Sequence, residues 1–134
     1  MASNQMGGIL NQRGQVDEAI QHWQKALQIR PQYLPAQNNL AWVLATNPDP
    51  SLRNGGKAIQ LALQANQFTG GTNLLILRTL AAAYAGAGQF TNALMTAGQA
   101  LQLAATEQNM TMIKSLQAQM KLYESGQPLH MPAN

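Results

Sequence analysis

An all-α stack of antiparallel helix pairs is the fold class this sequence predicts, on three observations. One pattern occurs twice with the same offsets: Gly14, Ala19-Ile20, Trp23, Ala26-Leu27, Ile29 returns as Gly88, Ala93-Leu94, Ala97, Ala100-Leu101, Leu103. A third copy, centred on Ala58-Ile59, Ala62 and Ala65, stands between them. Apolar residues recur at helical spacing throughout, and no run alternates as a half-buried strand does. Self-similarity on this scale marks stacked supersecondary units, each burying its apolar stripe against its neighbours.

Seven helices are expected in order. The first, about 3–13, is short and weakened by Gly7-Gly8. The second carries Val16, Ala19, Ile20, Trp23, Ala26, Leu27 and Ile29 as one stripe. Asp17-Glu18 are read at its start, where acids favour the helix dipole, and Pro31 ends it. Leu40, Trp42, Val43 and Leu44 with their alanines make the third. The segment Thr46 to Ser51 is dense in turn formers, with Asp49 placed to cap a helical turn that Pro50 opens. Gly55-Gly56 weakens helix there, and Ile59, Ala62, Leu63 and Ala65 form the stripe of the fourth. Gly70-Gly71 separates it from the fifth, Leu74 to Ala85, whose core face is Leu77, Leu80, Ala81 and Tyr84. Beyond Gly86 and Gly88, Phe90 to Leu103 is the sixth. The seventh runs from Thr106 to Glu124, with Ile113, Leu116, Met120 and Tyr123 on one face, and Gly126 and Pro128 stop it.

The spacings set the period. Met6-Gly7 recurs as Leu40-Ala41 at 40 − 6 = 34 residues, and Ala58 precedes Ala93 by 93 − 58 = 35. Ala19 to Ala58 is 58 − 19 = 39, which is 34 plus five, and the extra residues fall in Thr46–Lys57. An insertion between two helices of one unit maps to a loop on one edge of the stack. The expected organisation is a single domain over 1–126 with units at about 1–33, 34–73 and 74–105. The second unit has an expanded turn at 46–57, a terminal helix covers about 106–125, and a flexible tail follows at 127–134.

Composition narrows the function classes. The chain has 134 residues, 46% of them hydrophobic, enough for a core. Only 10% are charged, so the net charge of +3 is a small excess on a weakly charged surface. The eight Lys and Arg residues are scattered, which speaks against nucleic acid, since displacing counterions from phosphate needs clustered cations. There is no cysteine, which excludes disulfides and thiolate-ligated zinc, and no apolar run approaches the roughly 20 residues of a membrane span. His22 and His130 are far apart and the five acids are dispersed, so no metal cluster, cofactor site or catalytic set is expected. Gly55-Gly56-Lys57 lacks the spacing and the preceding strand of a phosphate loop. Met110, Met112 and Met120 are read as core filling on the terminal helix. The chain is expected to be soluble and cytoplasmic.

A period of 34 with two helices per unit and small residues at the helix contacts resembles the tetratricopeptide repeat. Gly7 and Leu10 stand at its first-helix packing positions, Gly14 at its turn glycine, and Ala19 and Ala26 at its close-contact alanines. Trp23 stands at its large aromatic and Pro31 at its terminal proline. Leu80-Ala81, Tyr84, Gly88, Ala93 and Ala100 match the same places in the third unit, with Ala97 for the aromatic. The middle unit fits at Leu40-Ala41, Leu44, Ala58 and Ala65 and departs at its turn and at Ala62. The resemblance covers about residues 3–105, and the final helix is similar to the family's extra covering helix. It implies a right-handed superhelical α-solenoid whose first helices line a concave face.

In that family peptides lie in the concave groove. Helical phase puts Asn4, Gly8, Asn11 and Gln12 of the first unit there, with Pro35, Asn38, Asn39, Trp42 and Ala45 of the second. Leu75, Arg78, Thr79 and Ala82 come from the third. The candidate peptide-binding residues are Asn38, Asn39, Trp42, Leu75, Arg78 and Thr79. Asparagine supplies donors and acceptors for a peptide backbone, and Trp42 a large amphipathic surface. Two readings of Trp42 stand side by side: contact with a partner, or packing into the notch left by Gly8 at 42 − 8 = 34 residues before it. Members that grip a C-terminal carboxylate share a Lys, Asn and Arg cluster, and here only Asn39 occupies its place, which speaks against a carboxylate clamp. The expected function is a non-enzymatic scaffold that binds a peptide or protein segment. The alternative is a self-associating module, pairing through exposed solenoid ends, or the C-terminal repeat segment of a larger protein.

Overall fold

The computed structural model describes residues 13–130. Six helices occupy them: α1 Arg13–Ile29, α2 Leu34–Thr46, α3 Gly55–Phe68, α4 Leu74–Gly86, α5 Phe90–Thr106 and α6 Met110–Glu124. There is no strand among the described residues. The helix expected at about 3–13, with its groove residues Asn4, Gly8, Asn11 and Gln12, lies outside them. Each helix packs on the next, and α2 also packs on α4. Consecutive antiparallel packing with a second contact between alternate helices is the arrangement of a TPR-like solenoid, with α2 and α4 forming the inner row.

The repeated small residues make this packing possible. Ala58, Ala65, Ala93 and Ala100 are all 0% exposed, so no larger side chain fits between the helices at those points. Ala62 and Ala97, where the first unit has Trp23, are equally buried. The aromatic filling therefore moves elsewhere: Tyr84 and Phe90 pack around the buried Tyr123 of the last helix. Leu40 and Leu80 are buried in one cluster at matching places on α2 and α4, and Leu116 of α6 is buried in another with Leu77, Ala100 and Ala104.

Helix ends follow repeated local chemistry. Asn54, Asn73 and Asn109 each cap a helix, accepting from the backbone N–H of Lys57, Ile76 and Met112. Four helices close in the same two-bond cap: Gly71 N–H to Asn66 C=O, Gln89 N–H to Tyr84 C=O, Asn109 N–H to Ala104 C=O and Gln127 N–H to Leu122 C=O. The left-handed residues in these caps are Gly70, Gly88, Gln108 and Gly126, so three of the four are glycine.

Three boundaries differ from expectation. α1 is already helical at Arg13, the first described residue, so Asp17 and Glu18 sit past its first turn, where the dipole no longer favours a carboxylate. Thr106 closes α5 instead of opening the last helix, because Gln108 turns the chain before Asn109 restarts it. α3 begins at Gly55, which shortens the irregular part of the expanded turn to 47–54. A Cβ on Gly55 would stand 2.9 Å from the Cα and N of Ala87, so glycine here admits α3 against the end of α4. The insertion itself is an ordered loop. Asn47 accepts from the N–H of Asp49, whose carboxylate accepts from both the N–H and hydroxyl of Ser51. Asp49 thus caps a turn that includes Pro50, as its sequence predicts.

Candidate functional site

The contact between α2 and α4 brings two of the candidate residues together. Trp42 on α2 is half-buried, and the Arg78 guanidinium of α4 lies over its ring at 4.3 Å from the centroid. A cation over an indole face at that distance is attracted by the ring quadrupole. Asn38 stands one turn before Trp42 on α2, half-buried, with its Oδ1 buried and lacking a hydrogen-bond partner. Asn39, beside it, is half-buried. Leu75, one turn before Arg78 on α4, is 50% exposed and is the apolar side chain of the set open to a partner.

The electrostatics of this face are those of a partly desolvated cation. Burial lowers the Arg78 pKa from the ordinary arginine value, and the Tyr123 hydroxyl works in the opposite direction. Arg78 Nε is buried without an acceptor. Tyr123 on α6 is 1% exposed, its hydroxyl has no partner, and burial pushes its pKa up to about 12 against the pull of Arg78. A buried donor without an acceptor carries a desolvation cost.

Other expected groove residues are placed differently. Thr79 is 0% exposed, with its Oγ1 buried and unpartnered, so its side chain offers no surface to a ligand. It faces the packed interior because the α2–α4 contact closes over that side of α4. Ala45 and Ala82 are buried for the same reason, whereas Pro35, in the first turn of α2, is exposed. Of the two readings of Trp42, the one involving Gly8 lies outside the described residues. Its stacking with Arg78 was not foreseen: the two stand 78 − 42 = 36 residues apart on neighbouring first helices, close to one period. That spacing was the available signal. Tyr123 was read as core, and its influence on Arg78 had no sequence signal.

The described residues hold no group of three or more His, Cys, Asp and Glu that could bind a metal ion. His22 is an exposed residue of α1. His130 meets the expanded turn, its Nε2 2.8 Å from Arg53 Nη1, while Leu129 packs against the Tyr123 cluster. Residues 127–130 thus run back across the stack. No helix among the described residues is long and apolar enough to cross a membrane.

A family model described as TPR repeat matches residues 7–47, which spans α1, α2 and the six residues before α1. No curated protein and no solved structure matches the chain.

Proposed function

For a chain that carries a TPR repeat, a module that generally mediates protein–protein interaction, we propose a non-enzymatic scaffold that receives a peptide or protein segment on the inner face of α2 and α4. The observation that carries the reading is the Trp42–Arg78 pair: a half-buried aromatic under a guanidinium whose Nε lacks an acceptor. Such a pair provides a flat aromatic surface beside a guanidinium, and Trp and Arg are enriched where binding energy concentrates. Asn38 and Asn39, both half-buried, stand beside this pair on α2. Leu75 adds apolar area at the other end of the set.

The test is a pull-down from source cells with the wild-type chain, Trp42→Ala and Asn39→Ala, each checked for native helicity by circular dichroism. The Trp42→Ala variant is expected to lose at least one partner that the wild type retains, with affinity weakened about tenfold or more, as for a truncated hot-spot aromatic. If both variants retain every partner at wild-type affinity, the inner-face assignment is wrong.

A further inference from the structure

A second site lies away from that face, where the α1–α2 turn meets the end of α3. The turn 30–33 and the start of α2 form one wall of a groove, and Phe68, the last residue of α3, forms the other. The groove encloses about 730 Å³ and adjoins a second cavity of about 440 Å³, sharing Pro31, Gln32 and Phe68 with it. Phe68 is 57% exposed and Tyr33 36% exposed, so two aromatic rings are presented across the opening. Arg30 lies over the Tyr33 ring at 4.8 Å and, among the described residues, is the one charged residue lining either cavity.

The second cavity has a polar floor. Gln37 of α2 lines it, is 2% exposed, and has its Oε1 buried without any hydrogen-bond partner. Gln64 and Gln67 of α3 stand around it. A primary amide buried in this way is costly unless an occupant hydrogen-bonds to it. A peptide backbone has the matching donors and acceptors, whereas a purely apolar occupant would leave the amide unsatisfied.

We infer that this groove is a docking site for an extended peptide segment that carries an aliphatic or aromatic side chain next to a carboxylate. The apolar side chain lies against Phe68 and Pro31, the backbone pairs with Gln37, and the carboxylate faces Arg30. Charge decides the sign of the occupant: among the described residues the lining holds one cation and no anion, and the whole chain is positive at +3. The site uses none of Asn38, Asn39, Trp42, Leu75 and Arg78, so either assignment can fail without the other.

The probe is a random dodecapeptide library displayed on phage, cleared first on the Phe68→Ala variant and then eluted from the wild-type chain. Phe68 is exposed, so its truncation leaves the core intact. The recovered peptides are expected to carry Asp or Glu beside an aliphatic or aromatic residue. As synthetic peptides they are expected to bind Arg30→Ala about fivefold or more weakly, and Gln37→Leu more weakly still, with Trp42→Ala unchanged. Gln37→Leu keeps the side-chain size, and Arg30→Ala stands as the independent variant should its fold suffer. The inference is overturned if no clone exceeds background, if the recovered peptides are basic or uncharged, or if their binding is lost with Trp42 and not with Arg30.

Discussion

Gln108 holds a left-handed backbone, φ 57°, at the cap position that Gly70, Gly88 and Gly126 fill after three other helices. A side chain there costs roughly 1–2 kcal/mol, because Cβ crowds the following carbonyl oxygen. Gln108→Gly is therefore expected to stabilise the fold by about 1 kcal/mol, read as a higher urea midpoint; an unchanged or lower midpoint would contradict the strain. Tyr123 gives a second residue-level expectation. Its folded pKa, about 12, lies above the ordinary value of 10.0, so the folded state keeps a proton that the unfolded chain releases. That contribution is complete below pH 10 and is lost as the pH rises toward 12. Tyr123→Phe should flatten the fall in stability over this window. At neutral pH it should cost little or nothing, since the hydroxyl it removes is unpartnered. Urea midpoints at neutral and alkaline pH measure both effects, and an equally steep alkaline fall in the variant would refute the assignment.

Among the helices, the clearest test is the pair of glycines opening α3. In the sequence Gly55-Gly56 reads only as a weak place for a helix, and the two residues look alike. The packing separates them: a Cβ on Gly55 meets the Ala87 backbone at 2.9 Å, whereas one on Gly56 meets only Asn54 Oδ1 at 3.8 Å. Gly55→Ala is expected to cost about 1–3 kcal/mol through overpacking of α3 against α4. Gly56→Ala is expected to gain up to about 1 kcal/mol from helix propensity. Denaturant unfolding of the two variants should move in opposite directions; equal shifts would mean that α3 can slide away from Ala87. The helices themselves were mostly legible, because their stripes, caps and glycine stops are local. The starts of α3 and α6 are not legible in the periodicity, because Asn54 and Asn109 set them as caps.

For the molecule as a whole, the scarcity of charge predicts binding that depends little on salt. Affinity for a partner on the inner face should change by no more than about threefold between roughly 50 and 200 mM salt, because few exposed charges are there to be screened. A collapse of affinity over that range, measured by titration calorimetry, would point to an electrostatic interface instead. The sequence by itself determined the repeated helix pairs and the close-contact alanines Ala58, Ala65, Ala93 and Ala100. Those features repeat because every unit must solve the same packing problem. Only the tertiary structure decided that Arg78 lies over Trp42, that Thr79 is sealed inside, and that Gln37 is left unpaired beside Phe68. Each of these depends on which side chains from different helices meet, and a period in one dimension does not encode that.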